Sequence, residues 1–133
     1  MSERSPLASA TVHRFSAGEP PLQVEAVVVV TGRDLTVTIG GGEAYHVGAV
    51  ALAVPRPSLA DPTQRSASTS VICVTGHKED DLARKAAARF ATKFDRVVVV
   101  SAGIHLDDAS PADIATMIRH ANDVIEEISR SSI

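Results

Sequence analysis

The stretch of sequence that decides the fold is residues 96–108, which read RVVVVSAGIHLDD. Four consecutive valines are typical of a strand that is apolar on both faces and lies at the centre of a sheet. The sequence therefore predicts a strand over Arg96–Ser101. A helix is predicted next, over Pro111–Arg130, because Ser110 suits an N-cap and proline suits the first helical position. Its apolar residues recur at the spacing of one buried helical face, namely Ile114, Ile118, Ala121, Ile125 and Ile128.

A second strand and helix precede this stretch in the same order. The sequence predicts a strand over Thr69–Thr75 and a helix over Glu79–Lys93, whose apolar residues also follow helical spacing. A strand–helix–strand connection of this length predicts a parallel crossover. The C-terminal half is thus expected to be a β-α-β-α unit.

The first half of the chain has the pattern of antiparallel strands. A β-branched run at Val24–Thr31 and a strictly alternating run at Leu35–Ile39 are separated by turn residues, which predicts a hairpin. A further strand is expected over His46–Val54, with small side chains on one face, and a short edge strand over Thr11–Phe15. Three prolines follow residue 54, so a long working loop is expected before residue 69.

Together these elements predict an α+β fold: a mixed, largely antiparallel sheet of five to six strands with two helices packed on one face. No shift in composition marks a boundary, so residues 1–133 are expected to form a single domain, with residues 1–20 partly irregular. The other face of the sheet still carries apolar side chains and lacks a predicted cover. We therefore expect self-association, most simply as a homodimer.

Composition narrows the classes of function. The chain has 133 residues, 44% of them hydrophobic and 22% charged, which is typical of a globular protein. A net charge of −3 and an aromatic fraction of 3% leave no basic footprint or stacking surface for nucleic acid. The lone cysteine, Cys73, excludes an internal disulfide and is expected to be buried. Neither a membrane-spanning run nor a secretory signal is visible, so a cytoplasmic protein is expected.

The two predicted parallel strands are followed by similar residues. Residues 76–79 read GHKE and residues 103–107 read GIHLD. In parallel sheets, ligands gather outside the carboxyl ends of the strands, where helix N-termini present free N–H groups. We therefore expect His77, Lys78 and His105 to surround one pocket, which suits a phosphate or a carboxylate. The alternative is that both glycines are ordinary turn residues and the lysine is solvated.

A metal site is a competing interpretation of the same residues. His77 with Glu79, and His105 with Asp107, are His-x-acid pairs whose donor atoms suit a divalent ion. The acidic residues also have an ordinary role near helix starts, where the macrodipole favours negative charge. Neither pair is specific by itself, so both interpretations stay open.

A third candidate region is the glycine run at residues 40–42. It lacks a Walker pattern and a G-x-G-x-x-G pattern, so the common nucleotide-binding folds are not indicated, and a hairpin loop is the alternative. His46 stands at the predicted start of a strand, next to the sole tyrosine, Tyr45, which makes it a pocket candidate. No G-x-S-x-G elbow is present, so a hydrolase is not favoured.

Three blocks of sequence together resemble the LpdD-like family. They are residues 40–51, 76–80 and 100–107, which read GGGEAYHVGAVA, GHKED and VSAGIHLD, within a resemblance from about Glu25 to Asn122. Members of that family accompany gallate and related hydroxyarylic acid decarboxylases of the UbiD type, and are regarded as chaperones for prenylated flavin mononucleotide (FMN). One departure is Tyr45, because the family tends to have proline before the histidine.

The resemblance implies a non-catalytic accessory protein that binds prenylated FMN, or FMN, and assists delivery to or maturation of a UbiD-type decarboxylase. Together with the pattern at the strand ends, it predicts cofactor contacts at glycines and histidines of the three blocks and at one lysine; the full set is Gly41, Gly42, His46, Gly76, His77, Lys78, Gly103 and His105. The small-residue face of the strand at residues 47–53 would offer a surface for the flavin ring. The alternative is a small metal-dependent enzyme, or a catalytic decarboxylase subunit, that uses His77, His105 and an acid.

Overall fold

The computed structural model describes residues 7, 10–74 and 79–133, and within these ranges it contains six strands and two helices. In chain order they are β1 Thr11–Ala17, β2 Val24–Thr31, β3 Asp34–Gly42, β4 Ala49–Pro57, β5 Arg65–Cys73, α1 Asp80–Phe94, β6 Val98–His105 and α2 Pro111–Arg130. The predicted α+β class with a mixed sheet and two helices is confirmed.

The strands form one sheet in the order β1-β2-β3-β6-β4-β5. Neighbouring strands are antiparallel except β3 and β6, which are parallel. The valine-rich strand β6 lies inside the sheet, between β3 and β4, as its sequence predicts. Because β4 is antiparallel to both β5 and β6, these two strands run in the same direction, as the crossover predicts, with β4 between them.

The core lies on one face of the sheet. Alternate residues of the four inner strands are buried and form a single apolar cluster with buried residues of both helices. Helix α1 lies against β4, β5 and β6, and α2 lies against β1 and β2. On β4 the buried residues are Ala49, Ala51 and Ala53, so α1 can approach closely. The expectation that this small-residue face holds a flavin ring is therefore wrong, because these alanines are covered by protein.

The prolines do not end β4 where the sequence predicts. The strand begins at Ala49, not His46, and continues through Pro55 to Pro57. The neighbouring β6 pairs with β4 only as far as Ala53, so the prolines lie where one side of the strand has no partner and a missing N–H is tolerated. β5 starts at Arg65, and the predicted long loop shortens to residues 58–64.

Three other parts of the chain also differ from the sequence-based prediction. Cys73 is exposed at the end of β5, so its predicted burial is wrong. β6 extends past Ser101 to His105 because its last residues still pair with β3. The edge strand near the N-terminus is confirmed and runs to Ala17, so part of the segment expected to be irregular is regular.

Helix α2 has the predicted bounds, and its start is built as the sequence indicates. Ser110 accepts a hydrogen bond from the Asp113 amide, and the Asp113 carboxylate accepts one from the Ser110 amide, which completes a capping box. Neither helix of the described residues is both long and apolar enough to cross a membrane.

The sheet face opposite the core is solvent-facing within the described residues. Its β4 and β5 positions include the exposed side chains of Leu52, Val54 and Ile72, with serines beside them on β5. On β3 the same face presents Thr36 and Thr38. We call this surface the open face.

Candidate functional site

The ends of several strands meet at one edge of the sheet. Strands β3 and β6 end side by side, with Gly42 opposite His105. At the same edge β4 begins with Ala49, which lies opposite Cys73 at the end of β5. We call this the carboxyl edge. The two parallel strands β5 and β6 both end at this edge, but β4 lies between them, so their ends are not side by side as expected. Gly76, His77 and Lys78 lie outside the described residues, so the pocket predicted around His77, Lys78 and His105 stays a prediction.

The loop of residues 43–48 folds back onto the end of β6. The amide of Glu43 donates a hydrogen bond to the His105 carbonyl oxygen at 2.8 Å, and the amide of Gly48 donates to the Ala102 carbonyl at 2.9 Å. A Cβ at Gly103 would collide with the His46 carbonyl oxygen. The loop therefore approaches β6 as closely as it does because residue 103 has no side chain.

The other candidate glycines also pack against protein atoms. A Cβ at Gly42, whose φ is +75°, would collide with the His105 carbonyl oxygen. A Cβ at Gly41 would lie 3.0 Å from the Gln23 carbonyl oxygen. The close approach of neighbouring backbone explains why these positions lack side chains, and their predicted contact with a cofactor stays a prediction.

Glu79 connects three parts of the site. Its Oε1 lies 3.1 Å from Nε2 of His46 and accepts a hydrogen bond from the Ile104 amide at 3.4 Å. Glu79 occupies the N-cap position of α1, but its side chain does not cap the helix. It points instead toward the loop, where Gly48 leaves room for its carboxylate. Glu79 thus ties the start of α1 to the loop and to β6.

His46 and His105, predicted from separate motifs, lie close together. Their ring centroids are 6.3 Å apart with an edge-to-face angle of 78°. Nε2 of His105 lies 2.8 Å from Oδ1 of Asp107, and both side chains are largely exposed. The predicted contact between His105 and Asp107 is therefore present, and Glu79 contacts His46.

This geometry gives the metal hypothesis no support. Within residues 7, 10–74 and 79–133, no group of three or more histidine, cysteine, aspartate or glutamate side chains is placed to hold a metal ion. Among the predicted ligands, His105 and Asp107 contact each other, and Glu79 contacts His46. The remaining predicted ligand, His77, lies outside the described residues.

Tyr45 faces away from this cluster. Its ring covers Gly40, where a Cβ would come within 2.8 Å of the ring Cγ, and its hydroxyl donates a hydrogen bond to Glu25 on β2. Burial, this hydrogen bond and the negative charge of Glu25 raise the pKa of Tyr45 to about 12. The tyrosine therefore anchors the loop to the sheet as a neutral phenol.

Sequence reasoning missed a cavity beside the carboxyl edge. It has a volume of about 540 Å³ and lies between α1, α2 and the end of β6. Apolar side chains form most of its lining, namely Leu82, Ile104, Leu106, Ile114, Met117 and Ile118. His105 and Glu79 line it on the side of the carboxyl edge, and Lys85 donates a hydrogen bond to Asn122 at 2.7 Å across the two helices.

Two isoleucines of α2 line this cavity, but the apolar spacing of the helix predicted that they lie in the core. Ile114 and Ile118 continue the apolar stripe of the helix, but they are 51% and 57% exposed. They lie one turn apart on the cavity wall. A volume of this size and a mostly apolar lining with a few polar groups are typical of small-molecule sites.

Comparisons with known proteins add a family and a fold. A family model described as the prenylated flavin chaperone LpdD-like domain matches residues 18–132. No curated protein matches the chain. Among solved structures, the chain is similar to one described as a novel chaperone complex for yeast 20S proteasome assembly, with a TM-score of 0.57 and 14% identity over 90% of this chain and 94% of that one. This likeness shows the fold alone.

Proposed function

Since the chain belongs to the prenylated flavin chaperone LpdD-like family, we propose that it binds prenylated FMN in the cytoplasm and assists a UbiD-type aromatic acid decarboxylase. In this role the protein delivers the cofactor or helps the enzyme mature, and catalyses no decarboxylation itself. The observation that carries the proposal is the apolar cavity of about 540 Å³ with His105 on its wall, in a chain of this family.

The cavity suits a flavin because its lining combines the two properties that a flavin ring has. The ring is a large apolar body with polar atoms at its edge, and the cavity offers aliphatic side chains together with a few polar groups, including His105 and Asn122. Sites of this kind use apolar contacts for affinity and polar contacts for orientation.

The carboxyl edge supplies the proposed polar contacts. His105 and His46 stand next to each other there, and Glu79 holds His46 in place. We assign cofactor contact to these two histidines and, from the sequence alone, to the phosphate-binding set of Gly76, His77 and Lys78. Gly41, Gly42 and Gly103 complete the proposed site by letting the loop and strand backbones lie close together.

The chemistry of decarboxylation supports an accessory role over a catalytic one. A carboxylate that leaves an aromatic ring needs an electron sink, and an organic cofactor such as a modified flavin is well suited to supply one. The competing function, a metal-dependent enzyme, is not supported by any cluster of three or more metal-binding side chains within the described parts of the chain.

Co-expression tests this function directly. A UbiD-type decarboxylase is produced with and without this protein, and activity per unit of enzyme is measured for wild type, His105→Ala and Leu59→Ala. Leu59 is 89% exposed in the β4–β5 loop and serves as the matched control. We expect the wild type and the control to raise the active fraction of the enzyme, and His105→Ala to raise it less. Equal activity in all samples would refute the proposal.

Direct binding gives a second, independent measurement. His105→Ala removes one polar contact to the cofactor and is expected to weaken binding of a flavin by roughly tenfold or more, the usual effect of one hydrogen bond to a charged or strongly polar group. Anaerobic titration with flavin, followed by its absorbance and fluorescence, measures the dissociation constant. Unchanged affinity would remove His105 from the site.

A further inference from the structure

The charges that line the cavity are unfavourable for a phosphate. Among its described charged lining residues are two carboxylates, Glu79 and Asp81, and one ammonium, Lys85. The ammonium group already donates to Asn122. The negative charges therefore disfavour a phosphate inside the cavity, whereas the aliphatic side chains favour an apolar group.

The apolar wall is built from two helices and a strand. Leu82 comes from α1, Ile104 from β6, and Ile114 and Ile118 from α2. Both isoleucines are more than half exposed, so neither is required by the core cluster, which lies deeper along α2. Exposed aliphatic side chains that converge on one cavity are typical of a site for an apolar ligand group.

We propose that this cavity receives the prenyl-bearing part of the flavin ring and that the phosphate stays outside it. The inference rests on the proposed function and makes it more specific: the protein distinguishes prenylated FMN from FMN by the added five-carbon group. FMN lacks that group, so it leaves part of the aliphatic wall in contact with water, and this difference favours the prenylated form.

The size of the preference follows from the area buried. Five additional carbons packed against aliphatic side chains are expected to strengthen binding by at least about tenfold, since each methylene transferred from water contributes favourably to binding. The selectivity ratio, the dissociation constant for FMN divided by that for prenylated FMN, is the quantity to measure.

The experiment titrates the full-length protein with both flavins under anaerobic conditions. Ile118→Glu places a carboxylate on the apolar wall, Ile118→Leu preserves its character, and Leu59→Glu puts the same charge on a distant exposed loop. We expect a ratio of about ten or more for wild type, Ile118→Leu and Leu59→Glu, and a ratio near one for Ile118→Glu. Because Ile118 is exposed, the variant is expected to fold, and circular dichroism checks this.

Failure of the inference is distinguishable from failure of the proposed function. A wild type that binds both flavins equally, or an Ile118→Glu variant that keeps the wild-type ratio, would overturn the inference while leaving the chaperone role intact. Equal losses for both flavins in Ile118→Glu would also overturn it, because the wall would then contact the shared ring alone. A wild type that binds neither flavin, with no effect in co-expression, would overturn the function itself.

Discussion

At the scale of single residues, the carboxyl edge depends on the absence of a side chain at Gly103. The His46 carbonyl oxygen occupies the space that a Cβ would need. Gly103→Ala must therefore push the 43–48 loop away from β6, and we expect a loss of about 1–3 kcal/mol in the free energy of unfolding, as for overpacking elsewhere. Chemical denaturation measures this loss.

Ser101 provides the control for that substitution. It lies two residues earlier on β6, and its buried hydroxyl has no hydrogen-bond partner among the described residues. Ser101→Ala is therefore expected to leave stability unchanged or slightly raised, because it removes an unsatisfied polar group. If Gly103→Ala were as stable as Ser101→Ala, the tight contact between the loop and the strand would be disproved.

Tyr45 offers a measurement that needs no ligand. Since it is the only tyrosine and tryptophan is absent, phenolate absorbance reports on this residue alone. Burial, and then the hydrogen bond and charge of Glu25, raise its pKa from 10.0 to about 12. We expect a native titration midpoint near 12, a midpoint near 10 in denaturant, and a value moved toward 10 in Glu25→Gln. A native midpoint near 10 would contradict the contact.

The sign of the corresponding effect on stability follows from linkage. The folded state holds the phenol neutral, so the contribution is complete below the unfolded pKa of 10.0 and is lost as the pH rises toward about 12. Stability of the wild type is expected to fall faster over that range than stability of Tyr45→Phe, measured by denaturation at each pH.

The candidate residues could be predicted from the sequence, but most of their partners could not. His105 and Asp107 are two residues apart, and their contact follows from that spacing. The contact of His46 with Glu79 joins residues 33 positions apart, and it depends on how the loop crosses β6. Gly48 and Gly103 indicate where the loop crosses β6, because a side chain at either position would collide with Glu79 or with the loop backbone. This role can be recognised only once the neighbouring strands are known.

At the scale of elements, α2 is the clearest test of local sequence rules. Its capping box pairs Ser110 with Asp113 through both backbone amides. Ser110→Ala is expected to lower the free energy of unfolding by about 1 kcal/mol, the usual cost of losing an N-cap. Ser132→Ala, at an exposed position after the helix, is the matched control and should change nothing. Equal stability of the two variants would contradict the role of the cap.

Elements with local signals were predicted well, and elements that depend on distant partners were not. The bounds of α2 are encoded by its own cap and apolar spacing, and they are confirmed. The prolines of β4 looked like strand breakers because the sequence does not say that β6 begins only at that level of the sheet, leaving one side of β4 unpaired beyond Ala53. In the same way, the apolar spacing of α2 did not show that Ile114 and Ile118 lie outside the core, because that depends on where the sheet and α1 end beneath the helix.

At the scale of the whole molecule, the open face predicts a homodimer. Its central positions carry Thr36, Thr38, Val99 and Leu52 without a charge, and charge depletion is typical of interface centres. Six strands spaced about 4.8 Å apart and about 20–25 Å long give a face of roughly 600 Å² per copy, and two such faces reach the roughly 1,000 Å² that a specific interface needs.

Light scattering tests this expectation. The wild type should have twice the monomer mass of 13.9 kDa, whereas Leu52→Glu should have the monomer mass. Leu59→Glu, which lies outside the open face, should remain a dimer. In a two-fold interface each patch meets its own copy, so mixing Leu52/Ile72→Glu with Leu52/Ile72→Lys chains should restore dimers. A monomeric wild type, or a dimer that persists in Leu52→Glu, contradicts this arrangement. If Leu52→Glu weakens binding to the decarboxylase and leaves the oligomeric state unchanged, the open face is the contact surface for the enzyme and not for a second copy.

The central position of β6 has a consequence for how the chain folds during synthesis. Among the described strands, β6 alone joins the β1–β3 meander to the β4–β5 hairpin, and its pairing partners on β3 precede it by 63 residues. Until residue 105 has left the ribosome, both halves expose an unpaired edge, and contacts between such distant segments form slowly. A nascent chain arrested before residue 98 should therefore hold two separate β-units that are open to aggregation, and the sheet should close in a single late step.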